Sequence, residues 1–129
     1  MSTTATHVSK VATVIVPVAD TDRAIQFYVD TLGFEKRVDI PFGDGLRWVE
    51  VAPTTDAVTT IAVAPPGPGG STGNRETGIS LHAEDIDALH GEWQSRGVDV
   101  DAEVSRMGDP VPPMFWFRDP EGNRLMVVG

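Results

Sequence analysis

The chain has 129 residues, no cysteine and a formal charge of −9, from 19 acidic and 10 basic side chains. That length suits one compact domain. The absence of cysteine excludes disulfides, thiolate nucleophiles and thiolate metal sites, and the acidic surface disfavours nucleic acid and anionic membranes as partners. No apolar run reaches membrane-spanning length and the N-terminal MSTTATHVSK lacks an apolar signal core, so a cytoplasmic location is expected.

In chain order, KVATVIVPVA at 10–19 places Val14, Val16 and Val18 on one side of an extended chain, the period of a strand. Asp20-Thr21-Asp22 then offers capping oxygens, Ile25, Tyr28 and Leu32 recur at helical spacing, and Gly33 stops the helix. Strand-like runs follow at 34–40, 45–52 and 58–64, which makes a βαβββ module over 8–64. PPGPGGSTGN at 65–74 is a connector, because its Pro and Gly favour neither helix nor ladder. The pattern then returns over 75–129. Ile79 and Leu81 alternate, Asp85 caps, Ile86, Leu89 and Trp93 form a helical stripe with His90 on the polar face, and Gly97 ends it. Strands are expected at 98–104, 114–118 and 124–128. Asp85, Asp87 and Gly97 repeat Asp20, Asp22 and Gly33 at a nearly constant offset, which argues for an internal duplication. RMGDPVPPMF at 106–115 reads as an ordered, non-helical loop, and Asp119-Pro120-Glu121-Gly122-Asn123 as a turn into the last strand without a catalytic role.

The segments VPVADTDRAIQFYVDTLGFE and FWFRDPEGNRLMVV, with Phe27-Tyr28, Leu32-Gly33-Phe34 and the Asp119–Asn123 turn in this order, resemble the vicinal-oxygen-chelate superfamily, the glyoxalase/bleomycin-resistance/dioxygenase group. The resemblance covers nearly the whole chain. It implies an α+β fold in which two βαβββ modules form a cup-shaped, curved mixed sheet within a single domain, commonly assembled as a homodimer. It also implies a loop at 106–115 near the cup mouth, either a gate or a stiff connector. Enzymes of the group hold one divalent metal through four His or Glu residues, from the first and last strands of both modules. The matching positions here are Thr13, Ala62, Gly78 and Met126. None of these supplies a metal ligand, and His7 lies too far before the first strand to replace Thr13. No metal and no other cofactor is therefore expected, unless the strand register is displaced.

Alternation turns this register into two faces. Val14, Val16, Ile61, Val63, Ile79, Leu81, Leu125 and Val127 face the helices. Thr13, Ile15, Thr60, Ala62, Gly78, Ser80, His82, Arg124 and Met126 face the cup, a mixture that suits a cavity. In LRWVEV the same alternation aims Trp48 and Glu50 at the ligand, although packing for Trp48 and solvent for Glu50 is an equal alternative. Trp116, Met114 and Met126 supply apolar contact if they face inward. Arg124 has a planar fork for a ligand carboxylate or phosphate, or for an ion pair with Glu121 or Glu50. His82, oriented by Glu50, is the candidate for proton transfer, against a purely structural role.

Two functions follow from this reading. The first is a metal-free protein that binds a small molecule in the cup, as in antibiotic sequestration. The second is a lyase, isomerase or dioxygenase-type enzyme that uses Glu50 and His82, or a relocated metal. The sequence has no GxGxxG after a strand, no GxxxxGK[ST], no HExxH and no GxSxG, so nucleotide-binding and serine-hydrolase chemistry find no support.

Overall fold

The computed structural model describes residues 6–129, and the part of the N-terminal reading that concerns residues 1–5 lies outside it. Module one runs through β1 (Thr13–Pro17), α1 (Thr21–Ile25), a π-helical continuation (Gln26–Thr31), β2 (Glu35–Phe42), β3 (Leu46–Ala52) and β4 (Thr60–Ala64). Module two runs through β5 (Glu76–His82), α2 (Ile86–Ser95), β6 (Asp99–Val100), β7 (Met114–Arg118) and β8 (Arg124–Val128). Each module builds a four-stranded mixed sheet, ordered β1-β4-β3-β2 and β5-β8-β7-β6. In each, the first strand lies parallel to the last, and the remaining neighbours are antiparallel. The α+β class and the doubled βαβββ order are those expected. Within one chain the two sheets remain separate, with β1 and β5 both at free edges.

The repeated helix signals work as read. Asp20 Oδ1 accepts from Arg23 N at 3.1 Å and Asp85 Oδ1 from Ala88 N at 3.1 Å, while Gly33 and Gly97 take φ of 84° and 82° to end the helices. The expected stripe of Ile25, Tyr28 and Leu32 does face the core, but the first helix changes its hydrogen bonding after Ile25. There the bonding widens by one residue, with Leu32 N donating to Phe27 O at 2.9 Å. The wider turn lets Phe27 pack against Phe117 while its neighbour Tyr28 is fully buried.

Three local expectations are corrected. His90 is buried rather than on a polar face, since it lies one helical turn from Ile86 and shares the stripe with Trp93. Its Nε2 lies 2.7 Å from Asp101 O, and the ring stands edge-on to Phe115 at 4.9 Å. The strand expected at 98–104 shrinks to β6. Beyond it the Asp101 carboxylate takes Trp116 N at 3.0 Å in place of a ladder partner, and pairing resumes only as the Ser105–Met114 bridge. In β5 the register shifts between Glu76 and Ser80, where Gly78 adopts φ 72° and Thr77 Oγ1 donates to Arg124 O at 2.8 Å.

The helix-facing side chains of both sheets meet in one core. Val16, Val49, Val51, Ile61 and Val63 pack with Phe115, Phe117, Leu125 and Val127, together with Tyr28 and Trp93 from the helical segments. Val14, Ile79 and Leu81, on the free edge strands, are only partly covered. The Asp119–Asn123 turn fastens module two to the start of α1. Glu121 Oε1 accepts Ala19 N at 2.8 Å, its Oε2 accepts Asp20 N at 2.9 Å, and Arg23 Nη2 donates to Pro120 O at 3.2 Å. Among the described residues no helix is long and apolar enough to cross a membrane.

Candidate functional site

The face of sheet one turned away from the core is defined by cross-strand partners. Val38 lies opposite Glu50, Ile40 opposite Trp48 and Phe42 opposite Leu46; Glu50 and Ile15 are in turn both opposite Ala62, and Thr13 is opposite Thr60. Directly opposed residues share a face, so these side chains form one surface. Ile15 is 55% exposed, Ile40 54% and Phe42 41%, and the Phe42 and Trp48 rings meet nearly at right angles, 77°, with centroids 6.2 Å apart. β2 runs past its expected end at Ile40 to Phe42, which adds Phe42 to the face that Leu46, Trp48 and Glu50 share. The period-two alternation through IPFGDGLRW, with a glycine-rich turn at its centre, carries that signal.

Glu50 sits in this apolar surface and is held from two sides. Trp48 Nε1 donates to Oε2 at 2.7 Å and Thr60 Oγ1 donates to Oε1 at 2.7 Å. Thr13 Oγ1 lies 3.0 Å from Thr60 Oγ1. A hydroxyl has one proton to give, so with Thr60 donating to Glu50, Thr13 donates to Thr60. Thr13, Trp48, Glu50 and Thr60 are thus brought together. Thr60 and Ala62 are buried rather than open to the cup, because β4 is flanked by β1 and β3. Thr60 therefore meets Glu50 through its hydroxyl and does not line open space.

On sheet two, Ser80 and Trp116 lie opposite Met126, His82 and Met114 opposite Val128, and Arg118 opposite Arg124. The Arg124 guanidinium carbon stands 4.6 Å from the centre of the Trp116 ring. Its Nη1 pairs with Glu76 at 3.1 Å rather than with Glu121 or Glu50, since Glu76 is its partner across the ladder. Trp116, Arg124, Met126, Ser80 and His82 are brought together on this second face. Along the β5 edge, Ser80 and His82 also border a groove of about 490 Å³ that includes Val14, Ile61, Ile79 and Leu81. Glu50 and His82 belong to different sheets, and the hydrogen bonds to Glu50 come from Trp48 and Thr60, with none from His82.

The four positions that correspond by resemblance to the superfamily's metal ligands carry other chemistry in this chain. Thr13 is engaged with Thr60, Ala62 is fully buried, Gly78 lies in the β5 bulge and Met126 offers a thioether. Among the described residues no group of three or more His, Cys, Asp or Glu side chains converges on a point. These residues do not fit a divalent ion.

Comparison with known proteins agrees with the architecture. TnmS3 of Streptomyces sp., described as an antibiotic binding protein, is 35% identical with a TM-score of 0.80, covering 94% of this chain and 95% of its own. A Sphaerobacter thermophilus member of the glyoxalase/bleomycin resistance protein/dioxygenase superfamily is 34% identical with a TM-score of 0.83, covering 94% and 97%. YetH of Bacillus subtilis, a protein without an assigned activity, is 28% identical over 93% of this chain and 98% of its own. The superfamily profile itself matches residues 7–127. With the doubled βαβββ fold, this shows that the chain belongs to the Glyoxalase/Bleomycin resistance protein/Dioxygenase superfamily.

Proposed function

We propose that the protein is a metal-free, cytoplasmic binder of a small, partly aromatic molecule, in the manner of antibiotic sequestration, and that it works as a homodimer. The observation that carries the reading is the sheet-one face, where Ile15, Ile40, Phe42 and Leu46 are exposed around the oriented Glu50 carboxylate. Exposed apolar surface of this kind marks a place where something binds. The likeness to TnmS3, an antibiotic binding protein, supports a small-molecule ligand. The unpaired edges of β1 and β5 support a second copy as partner, since a free edge strand is a template for pairing.

Two measurements test this reading. Sedimentation should give a dimer at micromolar concentration, and thermal melting across a panel of flat aromatic compounds should find one that stabilises. A ligand present at a hundredfold its Kd adds about 2.7 kcal/mol to the native state. A panel that leaves the melting temperature unchanged at every concentration overturns the binding reading. Separately, untagged protein purified without chelators and re-exposed to Mg, Mn, Fe, Co, Ni and Zn salts is expected to retain far less than one equivalent of any. One equivalent per chain would overturn the assignment of the ligand positions to Thr13, Ala62, Gly78 and Met126.

A further inference from the structure

Glu50 is a partly buried carboxylate without an ion pair on an otherwise apolar face, unlike Asp22 and Asp39 of the same module, which both pair with Arg47. Glu50 has no cationic partner among the described residues, and the side chains that share its face, from Val38, Ile40 and Phe42 through Trp48 to Ala62 and Ile15, bring no positive charge. A carboxylate has about four acceptor positions. Trp48 Nε1 and Thr60 Oγ1 occupy two of them, both neutral donors. Two acceptor positions therefore remain on a partly buried negative charge in apolar surroundings, where an uncompensated charge is costly.

From this we infer that the ligand of the sheet-one face is a planar aromatic molecule carrying a cationic nitrogen donor, with Glu50 as the residue that selects it. The inference rests on the binding reading above and names the chemical class within it. A protonated N–H placed on Glu50 makes a hydrogen bond charged on both sides and compensates the carboxylate, whereas a phenol or amide brings a neutral donor and leaves the charge unbalanced. The perpendicular Phe42 and Trp48 rings give a flat cation an aromatic corner to lie against. A planar anion meets the uncompensated Glu50 instead, and the chain's formal charge of −9 repels it on approach. Thr13 and Thr60 are positioning residues, since they fix the carboxylate through the hydroxyl relay without reaching the ligand.

The test uses two probes of the same three-ring shape and opposite charge, 9-aminoacridinium and anthracene-9-carboxylate, titrated against the full chain and read by tryptophan quenching and calorimetry. The wild type is expected to bind the cation at least about tenfold more tightly than the anion. Glu50→Gln keeps the side-chain volume and an oxygen for Trp48, and should bring that ratio close to one by weakening the cation, with its melting temperature checked alongside. Equal affinity of the wild type for the two probes overturns the inference while leaving the binding reading intact, and it does so whether or not the variant folds. An undiminished preference for the cation in folded Glu50→Gln also overturns it. Binding of neither probe up to about 1 mM, the weak end of specific recognition, overturns the inference. Only failure across the wider panel then removes the binding reading as well.

Discussion

Asp119→Ala is expected to destabilise the protein by about 3–5 kcal/mol, because it strands several hydrogen-bond donors of a buried network at once. The Asp119 carboxylate accepts four bonds at 2.9 Å: Oδ2 from the Tyr28 hydroxyl and the Asn123 side-chain amide, Oδ1 from the backbone N–H groups of Glu121 and Asn123. Tyr28 and Asn123 are fully buried, so the donors stranded by alanine have little access to water, and each such group costs about 1–3 kcal/mol before relaxation. Tyr28→Phe removes one donor and leaves the carboxylate with three, and should cost about 1 kcal/mol. The two variants also separate by pH. Burial, and then the adjacent Asp119 charge, push the Tyr28 phenol well above its ordinary value of 10.0. An acid whose native pKa is raised contributes stability that is complete below its unfolded value and is lost as the pH climbs towards the native one. Wild-type stability should therefore fall from about pH 10 upward, and Tyr28→Phe should fall less over the same interval. Urea denaturation at pH 7 and in the alkaline range measures both effects. A loss under about 1 kcal/mol in Asp119→Ala would mean that the turn is not the fastening between the modules.

That turn also marks where the sequence stops being legible. Helix starts at Asp20 and Asp85 and stops at Gly33 and Gly97 are local signals, and both copies form as read. The Asp119–Asn123 segment reads locally as a turn, and it is one. Its larger role depends on Tyr28 and on the backbone of Ala19 and Asp20, roughly a hundred residues away, and no local periodicity carries such a contact. The same limit explains Arg124, whose partner Glu76 became evident only once β5 and β8 were paired in parallel. For the candidate site, alternation placed Trp48, Glu50, Thr13 and Thr60 on one face. It did not reveal that β4 would be covered on both sides, which turned Thr60 from a lining residue into a support for Glu50. His90 is a different case: a histidine suggests a polar face by its type, whereas its spacing from Ile86 and Trp93 turns it inward. Glu50 and His82 stand on different sheets with no hydrogen bond between them, a property of tertiary arrangement with no counterpart in spacing along the sequence.

The second large effect should come from Phe117→Ala, at about 3–5 kcal/mol, the usual cost of deleting a buried aromatic ring from a core that only partly collapses. Phe117 is fully buried on β7 and touches both halves of the protein. Its ring stands edge-on to Trp93 of module two at 4.8 Å and tilted against Phe27 of module one at 6.4 Å. An aromatic pair of this kind adds about 0.5–1.5 kcal/mol beyond area burial, so the cavity would weaken module two internally and the contact between modules together. Phe42→Ala is the control. The same atoms leave a ring that is 41% exposed on the open sheet-one face, and the loss should stay below about 1 kcal/mol. Because the core is continuous across both sheets, the wild type and Phe117→Ala should each unfold in one transition, with far-ultraviolet circular dichroism and tryptophan fluorescence superimposing. Trp48 reports on module one, Trp93 and Trp116 on module two, so single-tryptophan proteins follow the halves separately. Two resolved transitions in the wild type would show that the duplicated modules keep independent cores. Two transitions in Phe117→Ala alone would identify this ring as the contact that makes them fold as one.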